Sequence, residues 1–289
     1  MRNVDQHTIT QAFLDYCSEE TDPRLRFLLE RLASHLHAFT REVELNHDEW
    51  RATIDFLTRA ADITTPERNE FILLSDVLGL SSLVDMVHSP ADATSSSVLG
   101  PFHILGAPDL PVGGDLKLDN DGATVIVQGK VLSPDGTPIP GATLEIWQTA
   151  ANGLYSNQDA TQRDYNLRAR QVVGDDGRYA FTTVRPAPYT VPSDGPVGDL
   201  LRATGRHPWR PSHLHFIIQA EGFRTLVTEL FPDDDPYLDE DAVFGVREDL
   251  TMHYREHRDQ DAAPADLEAR DRLTTPFYMI DFDFRLAKG

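Results

Sequence analysis

The chain has 289 residues, 40% hydrophobic and 25% charged, ample for one large domain or for a domain with a helical annex. Its 47 acidic side chains against 26 basic ones leave a formal charge of −21, which excludes a general binder of nucleic acid or anionic membrane, because either needs a basic face. The single cysteine, Cys17, excludes intrachain disulfides and Cys-rich zinc sites, and is expected as a small buried hydrophobe on a helix.

Asp5, Gln6 and His7 stand where a signal peptide would carry its apolar core, and no apolar run is long enough to span a bilayer. The expectation is a cytoplasmic protein without a membrane span. Residues 5–100 read as helical. Phe13, Leu14 and Tyr16 fall in a first short helix. Pro23 opens a second, with a stripe of Leu25, Leu28, Leu29, Leu32 and Leu36. A third starts at Asn46, with Glu49 three residues on as in a capping box. The spacing predicts a fourth from Thr65-Pro66, through Phe71-Ile72-Leu73-Leu74 towards Val87, broken at Gly79.

Around Ser89-Pro90-Ala91 the composition changes, and Ser95, Ser96 and Ser97 lead into a region of β pattern. Val98-Leu99-Gly100-Pro101-Phe102 is a loop signal. Ala123–Val131 alternates apolar and polar residues, and Thr143–Thr149 is a second strand. Leu167–Val173 and Arg178–Val184 read as a hairpin across Asp175-Asp176-Gly177. His213–Gln219 pairs with Thr225–Phe231 across Glu221-Gly222, and Phe277–Phe284 closes the domain. The fold class expected is α+β: helices over 1–100, then an antiparallel β-sandwich over 101–289. The acidic run Asp233–Asp241 lacks the Gly and Glu that a calcium loop needs, so it reads as a solvated loop.

The chemistry centres on His213 and His215. At i and i+2 on a strand, both imidazoles project from one face, and neutral imidazole is the commonest metal ligand. Tyr155 and Tyr189, each in a Gly- or Pro-rich loop, complete a candidate N2O2 set. A phenol ordinarily titrates near ~10, so a neutral-pH tyrosinate needs a hard, highly charged cation. That favours Fe(III) over zinc, which prefers His, Cys and carboxylate. The ferrous 2-His-1-carboxylate pattern needs a nearby carboxylate that this segment does not offer.

The ordered set Tyr155, Asp175-Asp176-Gly177-Arg178-Tyr179, Pro186-Ala187-Pro188-Tyr189 and Gly205-Arg206-His207-Pro208-Trp209-Arg210-Pro211-Ser212-His213-Leu214-His215-Phe216 resembles the intradiol ring-cleavage dioxygenases. These are non-haem Fe(III) enzymes that split catechols with O2 between the two hydroxylated carbons. The resemblance covers nearly the whole chain, and the helical N-terminus matches the catechol 1,2-dioxygenase branch. It implies a homodimer formed through those helices, with a phospholipid held at the contact. It implies Tyr155, Tyr189, His213 and His215 as iron ligands, with Tyr189 released on substrate binding and able to accept a proton. It implies Arg210 as the group that stabilises negative charge on the bound ring. One position departs from the pattern: Glu229 stands where catechol-cleaving relatives carry a glutamine, and it would repel an anionic substrate unless protonated or paired with Arg210.

The pocket wall is expected from Leu73, Asp76, Val98, Leu99, Gly100, Pro101, Phe102, Val191, Pro192 and Arg210. Asp76 stands where catechol-specific relatives usually carry proline. A carboxylate in an apolar wall is costly without a hydrogen-bond donor, and a third substrate hydroxyl supplies one. With the Val-x-Gly-Pro-Phe loop, this resembles the hydroxyquinol 1,2-dioxygenases most closely and points to benzene-1,2,4-triol. The alternatives are catechol or chlorocatechol cleavage; a transthyretin-like binding module, suggested by Pro134–Ala142 alone; and a His-x-His zinc hydrolase.

Overall fold

The structure is a computed structural model that describes residues 3–65 and 68–289. The chain divides into two compact units, Met1–Asp62 and Ile63–Gly289. The first contains α1 (Ile9–Tyr16), α2 (Pro23–Glu42) and α3 (His47–Asp62). Asp22 caps α2, accepting from the Leu25 amide at 2.9 Å, with Pro23 at the first helical position. Asn46 and Glu49 form the expected capping box: Asn46 Oδ1 accepts from the amides of Asp48 and Glu49, and Glu49 accepts from the Asn46 amide. Cys17 is not a buried helical residue. It ends α1 as its C-cap and is only half-buried.

The second unit opens with α4 (Glu70–Val77) and α5 (Leu80–His88). The helix expected from Thr65 starts instead at Glu70, because Asn69 accepts from the amides of Phe71 and Ile72 and so sets the first turn. Pro66 lies outside the described residues. Gly79 breaks the helix as expected: its φ of +74° suits glycine, and α4 and α5 meet at 69°. No single helix among the described residues is long and apolar enough to cross a membrane. α4 and α5 fall in the second unit with the strands, whereas the expected division lay at residue 100. The buried Glu70 carboxylate accepts from the Val197 amide at 3.0 Å, at the N-terminus of α6 (Pro196–Ala203), which ties α4 to α6.

The strands are β1 (Gly114–Asp115), β2 (Thr124–Leu132), β3 (Thr143–Gln148), β4 (Arg168–Val172), β5 (Arg178–Val184), β6 (Tyr189–Thr190), β7 (Trp209–Arg210), β8 (Leu214–Gln219), β9 (Leu226–Pro232), β10 (Thr251–Met252), β11 (Arg255–His257), β12 (Phe277–Asp281) and β13 (Phe284–Arg285). One sheet runs β1-β5-β2-β12-β11, with β13 also on β2; a second runs β10-β9-β8-β3-β4; β6 and β7 form a separate pair. The expected all-antiparallel sandwich is corrected here to mixed sheets. β1 on β5, β10 on β9, and both β12 and β13 on β2 are parallel pairings. The last strands return after a long excursion and run in the direction of β2, which no local pattern announces.

The expected hairpin across Asp175-Asp176-Gly177 is also corrected. β4 pairs with β3 and β5 with β2, so this turn carries the chain from one sheet to the other. Gln171 stitches the crossing, donating to the Ala180 carbonyl at 3.0 Å and accepting from its amide at 3.1 Å. The β8–β9 pair forms as expected, with His215 opposite Glu229. The main core joins both sheets: Val125 and Val127 of β2, Phe181 of β5, Leu144 and Ile146 of β3, and Phe216 and Ile218 of β8. Each such buried side chain contributes about 1.5–3 kcal/mol.

Candidate active site

β8 is paired on both sides, to β3 and β9, so its backbone is held firmly. His213 lies one residue before it and His215 is its second residue, and both point to the same side. Their Nε2 atoms are 3.0 Å apart. His213 Nδ1 lies 2.7 Å from the Pro211 carbonyl oxygen. A carbonyl only accepts, so Nδ1 carries the hydrogen and Nε2 presents a lone pair. Burial, reinforced by the Arg210 charge, holds His213 down to about 4. Burial, then the charges of His213 and Arg210, drive His215 well below its ordinary value. Both imidazoles are therefore neutral and fit to bind a cation.

Tyr155 arrives on the loop after β3, and its hydroxyl lies 3.0 Å from His215 Nε2 and 3.4 Å from His213 Nε2. Tyr189 starts β6 and pairs in register with Arg210 of β7; its ring centroid is 5.5 Å from those of Tyr155 and His213. Burial pushes both phenols up, Tyr155 most, with Tyr189 adding to the effect on it. The positions are packed rather than loose. Trp147 stacks on His215 at 4.6 Å, and Phe102 on Tyr155 at 4.7 Å. Gly100 brings its loop over His215 with φ +68°, where a Cβ would lie 3.5 Å from His215 Cε1.

These observations test the fit of a metal. Three nitrogen and oxygen atoms converge within 3.0–3.4 Å of one another, buried, on two neutral imidazoles and a phenol. Arg210 Nη1 lies 3.3 Å from His213 Nε2, but His215 Nδ1 is buried without a hydrogen-bond partner, and a cation would bind all three converging ligand atoms at once. The residues fit a metal ion, and a phenolate becomes accessible only with such a charge present.

Glu229 also lies near. Its carboxylate is within 4.8 Å of the His213 and His215 ligand nitrogens, so a carboxylate is available, contrary to the sequence expectation. It is nonetheless committed elsewhere: Arg210 Nη1 and Nη2 donate to its two oxygens at 2.8 and 2.9 Å, and Ser97 Oγ donates at 2.6 Å. Burial pushes Glu229 up, but Arg210 and His213 outweigh it and hold it below the ordinary value. Asp241 completes the cluster, accepting from Arg210 Nε at 3.1 Å and from the Gly245 amide at 2.8 Å. It belongs to the acidic run expected to be solvated, yet is 6% exposed. Arg210 thus faces two carboxylates instead of standing free.

A cavity of about 220 Å3 borders Tyr189 and Arg210. Every wall residue expected from the sequence lines it except Leu99, which points outward and is 44% exposed. Asp76 is buried, and burial raises its carboxyl above the ordinary value. Sequence reasoning missed Arg68, Asn69, Ile72, Gln158 and Val243 in the lining. The signal for two of them was present: Asn69, Ile72, Leu73 and Asp76 are spaced i, i+3, i+4, i+7 on one helical face.

The family models for the dioxygenases ("Dioxygenase") and for the catechol dioxygenase N terminus match residues 111–288 and 22–96. The chain belongs to the intradiol ring-cleavage dioxygenases. Within this family it is 45% identical over 270 residues to the hydroxyquinol 1,2-dioxygenase of Rhizobium sp. (strain MTP-10005), covering 92% of this chain and 90% of that one. It is 42% identical over 288 residues to the 6-chlorohydroxyquinol 1,2-dioxygenase of Cupriavidus pinatubonensis, covering 99% of each. The crystal structure of hydroxyquinol 1,2-dioxygenase from Pseudomonas putida DLL-E4 matches with a TM-score of 0.89 at 43% identity, over 98% of this chain and 99% of that one. Intradiol dioxygenases use non-haem iron and act in aromatic catabolism, and the donor set of this dioxygenase suits iron.

Proposed function

We propose that this intradiol dioxygenase cleaves hydroxyquinol (benzene-1,2,4-triol) with O2 to 3-hydroxy-cis,cis-muconate, the enol form of maleylacetate. The observation that carries the reading is Asp76, a buried carboxylate in the wall of the cavity that also borders Tyr189 and Arg210. A third hydroxyl donates to it and offsets the cost of burying it. The activities named for the Rhizobium and Cupriavidus relatives are in keeping with this.

Tyr155, Tyr189, His213 and His215 would hold Fe(III), which when bound draws electron density from the catecholate and opens the ring to O2. Tyr189 would be the proton acceptor, because a phenolate not held by a cation is the stronger base. Arg210 stabilises negative charge on the ring, while Glu229 and Asp241 hold its plane and temper its charge. Leu73, Val98, Pro101, Phe102, Val191 and Pro192 exclude water and orient the ring.

In the same reading, residues 1–100 carry the dimer contact and, through Leu73, Asp76 and Val98, part of the pocket wall, while 101–289 carry the Fe(III) site. The α2 stripe supports a homodimer: Leu25, Leu28, Leu32 and Leu36 are each about half exposed, between 47% and 56%. A phospholipid at that contact would cover the same stripe.

The test is anaerobic spectral titration with hydroxyquinol and with catechol, followed by product identification after O2 is admitted. Hydroxyquinol is expected to be turned over at least tenfold more efficiently than catechol. If the wild type prefers catechol, the substrate assignment fails.

A further inference from the structure

Arg168 is a cation out of place. It extends from β4 into the interior and is 2% exposed. In a chain with 47 acidic residues, no carboxylate pairs with it among the described residues. Its Nε donates to Ser156 Oγ at 2.9 Å and its Nη2 to Asn157 Oδ1 at 3.0 Å, both neutral; Nη1 is buried with no partner. Its carbon Cζ lies 5.7 Å from the Tyr155 ring centroid. Each of these contacts is to Tyr155 or to the two residues that follow it.

A buried guanidinium without a counter-charge is unfavourable. The fold accepts that cost beside the aromatic residue whose oxygen meets His213 and His215. We propose that Arg168 is a positioning residue for Tyr155: it fixes the 155–157 loop and supplies the buried positive charge that an anionic ligand oxygen on Tyr155 completes when a metal is bound. The inference rests on the Fe(III) reading above and extends it to a residue that does not itself touch metal or substrate. It also accounts for the choice of arginine, whose planar fork reaches both Ser156 and Asn157 while its Cζ stays 5.7 Å from the ring centroid.

The experiment compares wild type, Arg168→Lys and Arg168→Met. Two quantities are read: the melting temperature of the metal-free protein, and the rate of ferric iron loss to excess chelator, followed by the tyrosinate charge-transfer band. Arg168→Met is expected to lose iron at least tenfold faster, with a shifted band, while the metal-free form melts at the wild-type temperature or higher. Arg168→Lys is expected to fall between the two. Two outcomes overturn the inference: iron loss from Arg168→Met at the wild-type rate, whatever the melting temperature of its metal-free form, or a Lys variant no better than the Met variant. If Arg168→Met does not fold, the Lys variant decides, and a wild-type rate of loss with an unshifted band there overturns the inference. A wild type that takes up no ferric iron and shows no such band sinks the Fe(III) reading instead.

Discussion

Glu229 holds Arg210 by a two-point ion pair, Oε1 to Nη1 at 2.8 Å and Oε2 to Nη2 at 2.9 Å, with both side chains buried. The strand register places Glu229 directly across from His215, and the Arg210 that it grips stands three residues before His213. The arginine that the family pattern assigns to the substrate is therefore part of a larger charged cluster with Glu229 and Asp241.

Removing Glu229 leaves Arg210 with Asp241 as its remaining carboxylate partner. Glu229→Ala is therefore expected to destabilise the protein by about 3 kcal/mol, the low end for a broken buried pair. Glu229→Gln keeps an acceptor for Arg210 and should cost less, about 1–3 kcal/mol. Chemical denaturation of the three proteins checks the order, and equal stability of wild type and Glu229→Ala would falsify the pairing as a buried one.

Metal dependence follows from the converging nitrogens. Protein stripped by chelator is expected to be colourless and inactive, and added ferric iron to restore both. His213→Ala and His215→Ala are each expected to retain at least about tenfold less iron after dialysis. Metal analysis together with visible absorbance measures this. Full iron content in either variant would remove that histidine from the ligand set.

Asp76 predicts a pH dependence of stability. Burial raises its carboxyl above the ordinary value near 3.8. A group whose pKa is higher folded than unfolded contributes stability below its unfolded value and loses it as pH rises through the folded one. Asp76→Asn should therefore melt higher than wild type at pH 7, with the difference closing as pH falls towards 4. Melting curves across that range test the sign. The same variant is expected to lose preference for hydroxyquinol over catechol, so this carboxylate trades stability for specificity.

Gly100 occupies left-handed backbone, with φ +68°. A Cβ there meets only ordinary contact with His215, so the cost of Gly100→Ala is conformational, about 1–2 kcal/mol. Because the loop also lines the cavity, KM for the triol is expected to rise with little change in iron content. A variant with wild-type stability would show that the loop relaxes freely.

Local rules make much of this protein legible from its residues alone. Period two along a strand put His213 and His215 on one face; the capping box at Asn46 and the break at Gly79 follow from side chains within a few residues. The ordered tyrosines and histidines, with Asp76, were enough to suggest the family and its substrate. What depends on strands distant in sequence was decided only by the tertiary structure. Asp175-Asp176-Gly177 has the composition of a hairpin turn, yet β4 and β5 find better partners in β3 and β2 and join different sheets. Glu229 and Asp241 meet Arg210 only because β9 lies beside β8 and the acidic loop after β9 brings Asp241 to the guanidinium. Arg168, 13 positions from Tyr155 in the sequence, comes under its ring through the register of β4 on β3. Hydrogen-bond geometry and capping act over neighbours, so sequence carries them; charge pairing in a buried site acts through space, so only the packed fold can assign it.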